Sequence, residues 1–331
     1  MARVLVLGGA GFVGYHLARR LAEDPTNRIT LVDDLSRGRR DQDLAALLAR
    51  PGVDLVRADL TDPTALAAVP REWDEVYMLA AVVGVRHAMQ DPARVIRVNT
   101  LATLNVLDWA TPAVGALFFA STSETYAGAV SLGHVPVPTP ETVPLTVADV
   151  HNPRFAYAAS KILGEAAMIH YGAAKGLHVV IGRLHNVYGS RMGIDHVIPE
   201  LCLRALRREE PFRVYGSEQR RAFCHVADAV EAIVALVRTP GAVGQIVNIG
   251  NDIEETTVAE LLDRILRVAD FSPTLEPLPA PIGSVDRRCP DLGKLRALTG
   301  LVPKISLEAG VRETFAWYRA WREAAPKGDG A

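Results

Sequence analysis

Tyr157 and Lys161 stand four residues apart in NPRFAYAASKILGE (152–165), which opens an alanine-rich helix after a proline. Side chains at i and i+4 project from one helical face. A free phenol has a pKa of about 10 and is a poor base at neutral pH. A neighbouring ammonium favours the phenolate, so this pair could supply a general base. The same lysine could reach the ribose hydroxyls of a bound dinucleotide. Upstream, STSETYAG (121–128) crowds Ser121, Thr122, Ser123, Glu124 and Tyr126 behind the apolar run VGALFFA. Hydroxyls and a carboxylate at the end of a buried strand suit binding and proton transfer better than packing. Glu124 could be a base, or could bond a loop backbone.

A third group is GGAGFVG, with Gly8, Gly11 and Gly14 three apart between an apolar run and a helical pattern. This spacing permits a tight turn, close approach of backbone to a pyrophosphate and close helix–sheet packing. Asp33, about twenty residues on, ends the next strand, where an acid can accept hydrogen bonds from a ribose. Its charge would repel a 2′-phosphate, which favours NAD. Arg37, Arg39 and Arg40 follow it and keep NADP open.

The elements that must position these residues alternate. Strands are expected at 3–9, 29–34, 53–60, 75–82, 116–122 and 177–184, with helices at 11–23 and from Tyr157. Strands joined by helical crossovers imply an α/β fold: a doubly wound parallel (Rossmann) sheet with its active site at the strands' carboxyl ends. STSETYAG then lies at the crevice. After about residue 185 the pattern changes to helices at 196–209, 226–239 and 306–323 (Ser306 as N-cap), short strands at 212–216 and 245–250, and a proline-rich connection at 272–283. The expected organisation is a cofactor domain over 1–185, with 212–248 returning to it. A smaller, partly discontinuous lobe takes 186–211 and 249–323, and 324–331 is a frayed tail.

The 331 residues are 49% hydrophobic with a formal net charge of −2, so nothing global points to nucleic acid or a membrane surface. Cys202, Cys224 and Cys289 are too scattered for a disulfide framework or a metal cluster, and Cys224 reads as a small buried side chain. A reducing cytoplasm is the expectation. His134, His151 and His185 lack metal-ligand spacing, so no metal site is expected. No run is long enough for a transmembrane helix, and the glycine-rich N-terminus is unlike a signal peptide.

GGAGFVG, VDDLSRG, ADL, LAA, STSETYAG, YAASK, RLHNVYGSRM, RRAFCHVADAV and RRCPDL together resemble the extended short-chain dehydrogenase/reductases, specifically the nucleotide-sugar epimerases, dehydratases and decarboxylases, over residues 3–320. The resemblance implies that Gly8, Gly11, Phe12, Val13, Gly14, Asp33 and Asp34 bind NAD. Asp59 and Leu60 would flank the adenine, Ala80 and Ala81 would line the cofactor floor, and Asn99 would help hold the active-site helix. Asn186 and Arg221 would hold the sugar nucleotide's diphosphate, with Arg288 as a second phosphate-binding arginine. Tyr157 would take the sugar's 4-hydroxyl proton, with Thr122 hydrogen-bonding that hydroxyl, as C4 is oxidised.

Relatives divide at the glutamate. Thr-Asp-Glu marks one group of 4,6-dehydratases. Ser123 here gives Thr-Ser-Glu, similar to GDP-mannose dehydratases and UDP-glucuronate decarboxylases. Decarboxylases usually carry an arginine just after the YGPRM region; here the nearest match is His196, followed by Val197 at the sugar pocket. YAG also has an alanine inserted relative to YG. The expected activity is a nucleotide-sugar 4-epimerase acting through a transient 4-keto sugar. The alternatives are a 4,6-dehydratase or UDP-glucuronate decarboxylase and, more remotely, a non-catalytic dinucleotide sensor. The expected partners are a nucleoside-diphosphate sugar and a second copy of the chain, paired through a four-helix bundle that includes the helix from Tyr157.

Overall fold

The computed structural model describes residues 1–38, 40–280 and 284–324. Seven strands form one parallel sheet: β1 (Arg3–Leu7), β2 (Arg28–Asp33), β3 (Val53–Arg57), β4 (Trp73–Met78), β5 (Val114–Thr122), β6 (Val179–Leu184) and β7 (Ile246–Ile249). Their order is β7-β6-β5-β4-β1-β2-β3. A parallel sheet covered by helices buries both faces, which is why β1 is an unbroken apolar run after Arg3. In β1, Val4, Leu5, Val6 and Leu7 are all 0% exposed.

Helices α1 (Phe12–Leu21) and α4 (Val226–Val237) cover one face, packing Leu17, Ala18, Ile233 and Leu236 into a shared core with Val4 and Val6. Helices α2 (Pro92–Trp109) and α3 (Ala156–Lys175) cover the other, burying Ala102, Val106, Ala167 and Met168 against Leu5, Leu117 and Phe119. Asp91 caps α2 by accepting from the Arg94 amide at 2.9 Å. Gly164 lets α3 lie close on β5: a Cβ there would sit 2.6 Å from Phe119 Cζ. That contact sets the depth of Tyr157 and Lys161.

A third core joins the helices Val197–Leu206, Val258–Val268 and Leu307–Ala324 through Leu201, Leu262, Val311 and Phe315. Ser306 caps the last of these, its Oγ accepting from the Ala309 amide. The expected return of 212–248 to the main sheet holds only from Val226 onward. Phe212–Tyr215 pairs with Leu275–Leu278 instead, and Arg220–Ala222 sits between Glu255–Thr257 and Arg287–Arg288 in a three-stranded sheet. Short β-rich runs pair with whichever edge is near, which local pattern does not specify. The proline-rich 272–283 thus contributes a strand, while its residues 281–283, and 325–331 of the expected tail, lie outside the described residues.

Asp41 ties the two regions together. It caps helix Gln42–Leu48 by accepting from the Leu44 amide, and takes a bidentate pair from Arg191 at 2.9 and 3.0 Å. Arg191 is buried over the Tyr15 ring, and Trp317 Nε1 donates to neighbouring Asp43 at 2.9 Å. Among the described residues no helix is long and apolar enough to cross a membrane. The three cysteines are buried thiols.

Candidate active site

The glycine turn leaves β1 at Gly8, whose φ of +86° suits glycine. A Cβ on Gly8 would lie 2.6 Å from the Ala80 nitrogen, and one on Gly14 would lie 2.2 Å from the Gly8 oxygen. Gly11 faces more open space, its nearest neighbour being the Gly8 oxygen at 3.2 Å. Phe12 and Val13 form the first turn of α1. Asp33 braces this turn: one carboxylate oxygen accepts from the Ala10 amide at 3.0 Å, the other from Leu35 at 2.8 Å. Burial raises its pKa, and those two amides pull it back.

Beyond Asp33 a recess of about 490 Å³ is lined by Asp34, Leu35, Ser36, Arg57, Ala58 and Asp59. Asp34 and Asp59 each accept from the amide and hydroxyl two residues on, Ser36 and Thr61. Leu60 differs from expectation: its side chain is buried in the core, leaving Asp59 at the recess. Ala80 and Ala81 are half-buried where β4 ends. Asn99 touches the chain on both sides of the cleft. Its Oδ1 accepts from the Val82 amide at 2.8 Å, and its Nδ2 donates to Val82 and to Ser160 of α3. It is therefore engaged in holding elements together. A backbone cradle that a Cβ would fill, an acid at the second strand and a recess roomy enough for an adenine fit a dinucleotide.

At the carboxyl end of β5, Thr122 lies beside the Tyr157 hydroxyl and favours its ionisation, and its Oγ1 accepts from the Glu124 amide at 3.3 Å. Burial pushes the Tyr157 pKa well up, and Glu124 adds to the rise; Thr122 and Arg37 oppose it. The expected lowering by Lys161 is not present. Its Nζ donates to the Ala120 carbonyl at 2.7 Å and lies over the Phe119 ring, while burial lowers its own pKa to about 8. The i,i+4 spacing puts both residues on one face, but the lysine is drawn to the end of β5 by a carbonyl acceptor.

Glu124 meets Arg288 at 2.7 Å. Burial alone would raise the glutamate's pKa, but Arg288, Arg154 and Arg221 outweigh it and hold the group below its usual range. Arg221 and Arg288 are register partners on adjacent parallel strands, so both reach the same side. Burial lowers the Arg221 pKa to about 10. Asn186 lies beside them at a φ of 40°, donating to the Ala222 carbonyl at 3.0 Å. Ser123 is buried in the turn between Thr122 and Glu124.

His196 is the residue before helix Val197–Leu206 and caps it with backbone only. Burial, then Arg37, lowers its pKa. Val197 is 37% exposed and turns outward. The sequence reading missed Arg154, which precedes Tyr157 by three in the short 3-10 turn Pro153–Phe155 ahead of α3, and gave Arg37 only a role in cofactor choice. Among the described residues no three His, Cys, Asp or Glu are placed to hold a metal.

The chain is 34% identical over 321 residues to UDP-glucuronic acid decarboxylase 1 of Arabidopsis thaliana, covering 96% of this chain and 70% of that one. It is 31% identical to the UDP-N-acetyl-alpha-D-glucosaminuronate decarboxylase of Bacillus cytotoxicus, covering 96% and 98%. The structure superposes on the NAD complex of the UDP-glucose 4-epimerase of Thermus thermophilus with a TM-score of 0.81 at 30% identity, covering 96% and 99%. The signature of the NAD dependent epimerase/dehydratase family matches residues 4–250. The chain belongs to that family, an enzyme of nucleotide sugars with NAD as its cofactor.

Proposed function

We propose that the chain decarboxylates a nucleoside-diphosphate uronate through a 4-keto stage. The observation that carries this reading is the similarity to uronate decarboxylases over nearly the whole chain, with Thr122-Ser123-Glu124 in place. It replaces the 4-epimerase expected from the sequence as the first reading. The arginine cluster supports it. Three guanidiniums (Arg154, Arg221, Arg288) surround one carboxylate (Glu124), a net charge of +2 for the cluster. Guanidiniums suit a diphosphate and a uronate carboxylate alike.

NAD, when bound, supplies the hydride acceptor at the start and the donor at the end, and its oxidised ring brings a positive charge. Tyr157 takes the proton from the 4-hydroxyl, with Thr122 holding that oxygen. Asn99 fixes α3, and thereby the phenol, against the end of β4. The 4-ketone makes the sugar a β-keto acid. Its C5–C6 bond breaks, carbon dioxide leaves, and the electron pair passes into the C4 carbonyl. A proton then adds at C5, and Tyr157 returns its proton to O4 as C4 is reduced. No dedicated C5 base is needed. That suits Glu124, which Arg288 keeps ionised and weakly basic, and it counts against a 4,6-dehydratase.

A second reading remains the 4-epimerase. It is favoured by His196, whose lowered pKa leaves it neutral at pH 7 where decarboxylases usually carry a fixed positive charge. In either reading we infer a homodimer through α2 and α3, whose exposed sides carry Ile96, Leu163 and Ile169. Incubating the protein with NAD and a panel of UDP-sugars, then reading product masses, tests the choice. Loss of carbon dioxide from a uronate is expected. An unchanged mass with altered C4 configuration would establish the epimerase, and loss of water the dehydratase.

A further inference from the structure

Arg37 crosses the cofactor cleft. The sheet order places β1 between β2 and β4. After β2 the chain folds back over the glycine turn: a Cβ on Gly38 would lie 2.7 Å from Ala10 Cβ and 3.0 Å from Asp33 Oδ1. From that side the Arg37 side chain reaches the loop beyond β4, where Nη1 donates to the Val83 carbonyl at 3.0 Å. The guanidinium therefore spans the carboxyl ends of β2 and β4, over the turn that ends β1. In this fold the dinucleotide's diphosphate lies on that turn.

We propose that Arg37 is a cationic strap over the glycine turn, whose guanidinium holds the diphosphate of NAD and NADH. A neutral carbonyl is a weaker acceptor than a phosphate oxygen, so Val83 serves as a resting partner that the ligand displaces. Arg37 is exposed as a residue, yet desolvation of its guanidinium disfavours the charge, while Tyr157 and Asp195 favour it. The side chain points from the Asp33 side toward Val83, away from the position of a ribose 2′-phosphate. This direction gives Arg37 a role with NAD and removes it as an argument for NADP. A strap of this kind matters to an enzyme that must keep its reduced cofactor until the hydride is returned.

The inference rests on NAD being the cofactor and not on the sugar reaction, so a binding measurement tests it separately. Titrate wild type, R37Q and R37K with NAD, NADH, ADP-ribose and adenosine by calorimetry, using competition against NADH for adenosine. R37Q should bind the three diphosphates about ten- to a hundredfold more weakly, the loss of one charge-assisted contact, and adenosine equally well. R37K keeps the charge but not the planar fork, and should lose only several-fold. Unchanged NAD affinity in both variants would overturn the proposal and leave Arg37 acting on Tyr157 alone. An equal loss for adenosine would also overturn it, because the residue would then be shaping the loop.

Discussion

At the scale of single residues, the site consists of charges that set one another's state. Tyr157→Phe removes the phenol oxygen and keeps the ring's packing. It should lower turnover by about 10²–10⁴-fold with NAD affinity within a few-fold of wild type. Near-normal turnover would show that another group takes the 4-hydroxyl proton. Arg288→Met leaves Glu124 without its strongest opposing charge, so desolvation would then govern and its pKa should rise. If the carboxylate form is the working one, the acid limb of the kcat profile should move up by about one to three pH units. Tyr157 and Lys161 stood out in the sequence by their spacing, and Thr122 and Glu124 by the resemblance that STSETYAG carries. The pairing of Glu124 with Arg288 was not legible there: 164 residues separate them, and only the folded second lobe brings them together.

At the scale of elements, the strands were legible because a doubly covered sheet demands unbroken apolar runs, and β1 and β5 have them. Helix α2 went unread. Its buried stripe of Val95, Ala102 and Val106 is interrupted by Asn99 and Thr103, both inside the fold. The interruption is the functional part, since Asn99 joins Val82 to Ser160. Asn99→Ala should cost about 1–3 kcal/mol in chemical denaturation, the usual penalty for stranding buried partners. It should also lower kcat more than it weakens NAD, because α3 loses its tether to the loop after β4. A variant that weakened NAD and kcat in equal measure would place Asn99 on the cofactor itself.

At the scale of the whole molecule, buried histidines join segments far apart in the chain. His16 of α1 meets the Ser190 carbonyl at 2.9 Å, and His185 meets Tyr126 and, from β7, Asn248. Burial lowers each pKa to about 3 from 6.5. A base whose folded pKa is depressed binds its proton in the unfolded chain first, so its stabilising effect is complete above about pH 6.5 and shrinks as pH falls toward 3. Two such groups should make unfolding free energy fall by about 2–3 kcal/mol per pH unit between pH 6 and 4, beyond the carboxylate contribution. His185→Gln should remove about half of that slope, and an unaltered slope would show that these rings do not set acid stability. The expected dimer is checked by light scattering, with Leu163→Glu yielding monomers. The clasp between Asp41 and Arg191 has a thermodynamic consequence. It fastens the loop that carries Asn186 and His196 to the helix that follows the cofactor loop. Two ligands that order the two ends of one clasp share its coupling free energy, and linkage makes the exchange reciprocal. UDP should therefore tighten NAD by the same factor that NAD tightens UDP, and Asp41→Asn should bring both factors down together.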